Sequence, residues 1–159
     1  EALKHADPEV RASAAAVGAS PTALCELLTT EPWPFVRYEA TRGLERVGGA
    51  VALCVSEAID DEDERVQARA AQALGALALD GSWRPTQEQR SLALKALTWL
   101  AGEARAPLNA RESAFVGLAQ WGSLLASERA LKAHIKAVGI AQLSELIGVE
   151  RLVLTPLLL

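Results

Sequence analysis

The chain has 159 residues, half of them hydrophobic, with a formal net charge of −4 and a pI near 5.3. This length and apolar content suit one domain or one run of repeats with its own core. The acidic balance argues against nucleic-acid binding, which needs a basic stripe, and no charge-free apolar stretch reaches the roughly 18 residues of a membrane span.

One phrase recurs along the chain. Asp7-Pro8-Glu9-Val10-Arg11 is followed by Ala14. Glu31 precedes Val36-Arg37, then Ala40 and Gly43-Leu44. Asp61 precedes Val66-Gln67, then Ala70 and Ala73-Leu74. The fourth copy is looser: Ala110-Arg111, Ala114 and Gly117-Leu118. The starts lie 26, 30 and 44 residues apart. A period of 20–50 residues marks stacked units, none of which can bury its apolar face alone.

In chain order, residues 1–6 read as the last turns of a helix, and the first phrase opens the next one. Ser20-Pro21 signals a helix over 21–30, with Leu24, Leu27 and Leu28 on one face. The turn Glu31-Pro32-Trp33-Pro34-Phe35 leads into the second phrase, which runs to a break at Gly48-Gly49. Val51, Val55, Ala58 and Ile59 predict a helix over 50–59, ahead of the acidic run Asp60-Asp61-Glu62-Asp63-Glu64 and the third phrase. Asp80-Gly81-Ser82 breaks the chain again. Pro85-Thr86 then opens a helix over 86–101 with Leu92, Ala93, Ala96, Leu97 and Leu100 at helical spacing. The fourth phrase follows Pro107. Further helices are expected over 127–138, 141–147 and 149–158, with Pro156 disturbing the last. The leading helix of each pair is called A, and the helix opened by the phrase B. In B helices the Val, the Ala four on and the Leu eight on share a face. Ala40 and Ala70 are expected where A and B helices meet, and Glu39 and Arg69 are expected to face each other on neighbouring B helices. No long β-branched alternation predicts a strand.

Asp7-Pro8-Glu9-Val10-Arg11-Ala12-Ser13-Ala14-Ala15 and Asp63-Glu64-Arg65-Val66-Gln67-Ala68-Arg69-Ala70-Ala71 resemble HEAT repeats, closest to the short variety named after phycocyanobilin lyases. The resemblance is good over residues 1–80 and weaker over 81–159. It implies an all-α fold, an α-α superhelix of about four to five helix pairs, occupying residues 1–159 as one stretch of a longer array. It also implies that Arg11, Arg37 and Arg111, with the acids Glu31 and Asp61, form a ladder along the stack, by charge-assisted hydrogen bonding of planar guanidinium groups. The sequence departs from the pattern at Gln67, which stands in place of Arg, at Ala110 in place of Val, and in the long third spacing.

Cys25 lies eleven residues before Val36 and Cys54 twelve before Val66, at near-equivalent places on adjacent A helices. Packed helices sit about 8–10 Å apart, which reads as too far for a disulfide unless the geometry is favourable. The pair is therefore expected to be reduced filler in a cytoplasmic protein. The acidic run lacks the spaced ligands and Gly of a calcium loop and reads as a solvated helix cap. Trp99 and Trp121 read as core, whereas Trp33 and Trp83 lie in turns, where they either anchor a partner or plug the helix ends. No nucleophile elbow, phosphate loop, dinucleotide fingerprint or metal-ligand cluster appears.

The expected role is a binding or scaffold module that holds another protein on a concave B-helix surface, with no cofactor and no metal. The candidate contact residues are Trp33, Tyr38, Arg42, Glu45, Gln72, Trp83, Glu112 and Val116. The alternative is an enzyme or enzyme subunit such as a bilin lyase with HEAT-like repeats. Leu152, Val153, Leu154, Leu157, Leu158 and Leu159 form an apolar run expected to pack on a following repeat or a second chain.

Overall fold

In the computed structural model, residues 1–49, 52–81 and 83–125 are described, and every regular element among them is helical. A 3-10 turn at Ala2–Lys4 precedes α1 (Pro8–Val17), α2 (Pro21–Thr30), α3 (Pro34–Val47) and α4 (Ala52–Glu57). A 3-10 turn at Ala58–Asp60 extends α4, and α5 (Glu64–Leu79), α6 (Gln87–Gly102) and α7 (Leu108–Leu125) follow. The helices expected over 127–138, 141–147 and 149–158, and the leucine run at the end, lie outside the described residues.

The starts are fixed by local chemistry. Asp7 accepts from the Glu9 amide and Ser20 from the Ala23 amide, each followed by a proline in the first turn. Asp63 accepts from the amides of Arg65 and Val66 at the head of α5. Thr86 and Gln89 form a reciprocal capping box on α6. Each of these side chains satisfies an amide that the first helical turn leaves without a partner. The α3 start is different. Trp33 offers no capping side chain, and Pro34 sets the entry dihedral instead.

The four phrase-opened helices pack in succession, α1 on α3, α3 on α5 and α5 on α7. On the other side α2 packs on α3, α4 on α5 and α6 on α7, and α2, α4 and α6 also touch in sequence. From the second unit on, the core is what the phrase specified; in α1 the expectation fails, for Val10 is 36% exposed and Ala12 and Ala15 are the buried residues. Val36, Ala40 and Leu44 are fully buried, as are Val66, Ala70 and Leu74, and Ala110 and Ala114. Trp121 joins them, its indole N–H satisfied by the Leu74 carbonyl at 2.8 Å.

Small residues set how closely these helices approach. A Cβ at Gly43 would stand 2.6 Å from the Ala15 carbonyl oxygen in α1 and 3.1 Å from Leu24 Cδ1 in α2. The long third spacing also has a plain cause. α6 has 16 residues, where α4 and its 3-10 extension have six and three, and the loop before α6 is longer.

Two expectations are corrected. Trp99 is not core; it is 43% exposed. The buried stripe of α6 runs through Ala93, Leu97 and Leu100. At about 100° per residue, Trp99 lies roughly 200° around the helix from Leu97. Arg69 does not face Glu39. It bonds to Glu45 further along α3, with Gln72 beside it, while Glu39 pairs with Arg42 three residues on in its own helix. The local partner captures Glu39 first.

Replacing Gly43 with Ala should decide between two effects of opposite sign. Helix propensity favours Ala by about 1 kcal/mol. The new methyl meets a backbone oxygen that cannot swing aside, and overpacking of this kind costs roughly 1–3 kcal/mol. The expected result is a lowered melting temperature by circular dichroism; a raised one would mean that α1 and α3 are further apart.

Candidate interaction surface

The turns joining A to B helices are built around two arginines with matching geometry. Arg11 donates through Nη1 to the carbonyls of His5 and Ala6, at 2.7 and 2.9 Å. Its Nε and Nη2 donate to the two oxygens of Glu31, at 2.7 and 2.8 Å. Arg37 repeats this one unit later. Its Nη1 donates to the carbonyls of Glu31 and Pro32, at 2.9 and 3.2 Å, and its Nε and Nη2 donate to Asp61, at 2.7 and 2.8 Å. Each carboxylate also shapes its own turn, Glu31 accepting from the Trp33 amide and Asp61 from the Asp63 amide. The arginines expected to form a ladder do so at these two joints. Arg111 instead reaches the carbonyl of Ala101 at 3.5 Å.

The electrostatics follow from these contacts. The Arg11 hydrogen bonds hold the Glu31 carboxyl below its ordinary value of 4.5, and the Trp33 amide adds to this. Arg65 does the same for Asp63, so most of this acidic run is spent on capping and clamping. Among the described residues, no three histidine, cysteine or acidic side chains converge as metal ligands.

The sequence-chosen contact residues fall into two groups, with Glu45 and Trp83 outside them. Tyr38 and Arg42 line a groove of about 550 Å³ between α1 and α3, with Glu9, Ser13, Phe35 and Glu39. Trp33 is 50% exposed beside it, its ring 6.1 Å from that of Phe35. Further along, Gln72 of α5 reaches Ser113 of α7 at 3.4 Å, next to half-buried Glu112 and to Val116, which is 52% exposed. Glu45 is engaged by Arg69 between these groups. Trp83 is taken up by its own chain. Its ring meets Trp121 edge-on at 5.9 Å and covers Gly49 so closely that no Cβ fits there. Sequence reasoning missed Glu9, Ser13 and Phe35. The signal was available, since Ser13 and Glu39 hold the same place after their Val.

The cysteine expectation is overturned. Cys25 and Cys54 form a disulfide joining α2 to α4, with Cα atoms 5.6 Å apart. The spacing of about 8–10 Å is measured between helix axes. Subtracting a backbone radius of about 2.3 Å for each helix leaves facing Cα atoms roughly 3.4–5.4 Å apart, close to bonding range. No helix among the described residues is long and apolar enough to cross a membrane. Compared with known proteins, the chain matches no family model and no curated sequence.

Two predictions follow from this geometry. A carboxyl held below its unfolded value stabilises the fold above that value, and the contribution is lost as pH falls through the lowered folded value. Glu31→Gln should therefore melt below the parent at pH 7 and converge with it as pH falls below 4.5. Parallel melting curves at all pH values would disprove the pairing. The disulfide closes a loop of sequence separation 29, for which chain entropy gives about 3–4 kcal/mol. Dithiothreitol or Cys54→Ser should lower the melting temperature accordingly, and thiol titration of the denatured, unreduced protein should find no free thiol.

Proposed function

We propose that this chain is a segment of a HEAT-like α-solenoid, with about four to five helix pairs over its length, that holds another protein along the face formed by its phrase-opened helices. The succession of α1, α3, α5 and α7, backed by α2, α4 and α6, supports the solenoid reading. So does the recurrence of the same arginine contacts one unit apart. The binding reading rests chiefly on the groove between α1 and α3. Phe35 and Tyr38 give it an aromatic wall, Glu9 and Arg42 give it charges of both signs, and Trp33 stands exposed at its edge. Aromatic and arginine side chains in a concave setting supply most of the energy in protein interfaces.

The cytoplasmic expectation rested on unpaired thiols. With Cys25 and Cys54 bonded, the redox argument points to an oxidising compartment, where disulfides persist.

The test is binding of peptides selected from a random display library against the whole chain, measured by calorimetry. Tyr38→Ala should weaken such binding by about 1–3 kcal/mol, the usual range for an interface aromatic, and Arg42→Glu should alter peptide preference. Selected peptides indifferent to both changes would place binding on another surface.

A further inference from the structure

The third joint of the arginine ladder is built differently from the first two. Thirty residues separate the second and third phrases. In that register Gln67 stands where Arg37 stands, and the carbonyls of Asp61 and Glu62 stand where Arg37 clamps those of Glu31 and Pro32. The acid position is kept but shifted: Glu103 closes α6 and accepts from the Arg105 amide at 3.0 Å, as Glu31 and Asp61 accept in their turns, yet it lies seven residues before Ala110 where they lie five before their Val. Glutamine cannot supply the forked donors of a guanidinium. Its Oε1 is buried without a hydrogen-bond partner, a costly state for a polar atom.

A groove of about 650 Å³ opens at this joint. Gln67, Trp99, Asp60, Glu62, Glu64 and Glu103 are among the residues that line it. Asp60 and Glu64 make no salt bridge among the described residues, and Glu62 touches Arg37 only at 3.3 Å, with its side chain 81% exposed. Arg105 is the one basic side chain in the lining, and it is exposed. The groove thus gathers negative charge and an exposed aromatic face around the place where two other joints hold a guanidinium.

We propose that this groove docks an arginine-bearing basic segment of another protein, whose guanidinium takes the place vacated at position 67. The guanidinium donates to the turn carbonyls and to the Gln67 amide oxygen, which rotation about its soft terminal torsion brings toward the groove. Its neighbours along the peptide meet the carboxylates, and the Trp99 face receives a cation by cation–π contact. Arginine is specified over lysine because the vacated place is shaped for a planar fork. The site lies at the turns before α5 and α7, so it stands or falls independently of the groove between α1 and α3.

The probe is a fluorescein-labelled peptide of alternating arginine and glycine, followed by fluorescence polarisation, with lysine and citrulline versions as controls. The arginine peptide should bind best, and the uncharged citrulline peptide of the same shape should not bind. Trp99→Ala, at an exposed position, should weaken binding roughly three- to tenfold. Gln67→Arg supplies the guanidinium within the chain, so it should raise the melting temperature and abolish binding. Arginine peptide that fails to bind at about 1 mM, or binds no better than lysine or citrulline peptide, overturns the proposal. Binding unchanged by both Trp99→Ala and Gln67→Arg also overturns it.

Discussion

A single guanidinium, that of Arg37, does two jobs that the neighbouring units require together. It satisfies carbonyls in its own turn, which no helix can pair, and it grips the carboxylate that forms the next turn. The conformation of one turn is thereby tied to the position of the next. Both side chains of the pair are 7% exposed, so the cost of desolvation is appreciable. It is offset because one planar group donates five hydrogen bonds, the fifth to exposed Glu62. Lysine, a point charge on a flexible stem, could not reproduce the parallel pair to Asp61 and the reach back to the carbonyls.

Fixed turns allow the helices behind them to be packed with small residues. Gly43 against Ala15, and Ala40 and Ala70 at full burial, leave little room for adjustment. A core of this kind gains from close backbone approach rather than from large side chains, and it holds only if the helices enter at a set angle. Local turn chemistry, ion pairing and dense packing point to the same arrangement, and that agreement marks a sequence which specifies one structure. The disulfide between α2 and α4 adds a covalent tie on the side away from the stacked phrase helices.

What the sequence revealed was whatever recurred. Val36, Ala40 and Leu44 were legible because the same types return at Val66, Ala70 and Leu74, at helical spacing. The arginine contacts were legible for the same reason, once the resemblance supplied the ladder. Other features were not, whether or not they recurred: Cys25 and Cys54 hold near-equivalent places and still read as reduced. Trp99 sits near the apolar stripe in sequence but on the opposite flank in space. Arg69 bears a side chain long enough to choose among several acids, and spacing along a helix does not rank them. The disulfide depended on an ångström-scale separation that axis distances conceal. On the candidate surface, Tyr38 and Arg42 were found from their place off the core face, and of the two readings open for Trp83 the inward one holds, its ring lying on Trp121 and Gly49.

The third joint shows that the pattern can fail without the stack failing. Gln67 removes the guanidinium clamp between the units of α5 and α7. The contact between those two helices is instead made by the backbone. A Cβ at Gly75 would lie 2.8 Å from the Gly117 Cα, and one at Gly117 would lie 3.2 Å from the Ala71 carbonyl oxygen. Trp121 then crosses the same interface to give its indole N–H to the Leu74 carbonyl. Two glycines and a buried tryptophan thus hold together what an arginine and a carboxylate hold elsewhere. Dispersion and the hydrogen bonds of Trp121 and Gln72 along the helices take over from charge at the turns. With Gln67 in place of the clamp, a groove stays open at this joint, lined by Asp60, Glu64 and Glu103, while Asp61 and Asp63 of the same turn are held by Arg37 and Arg65.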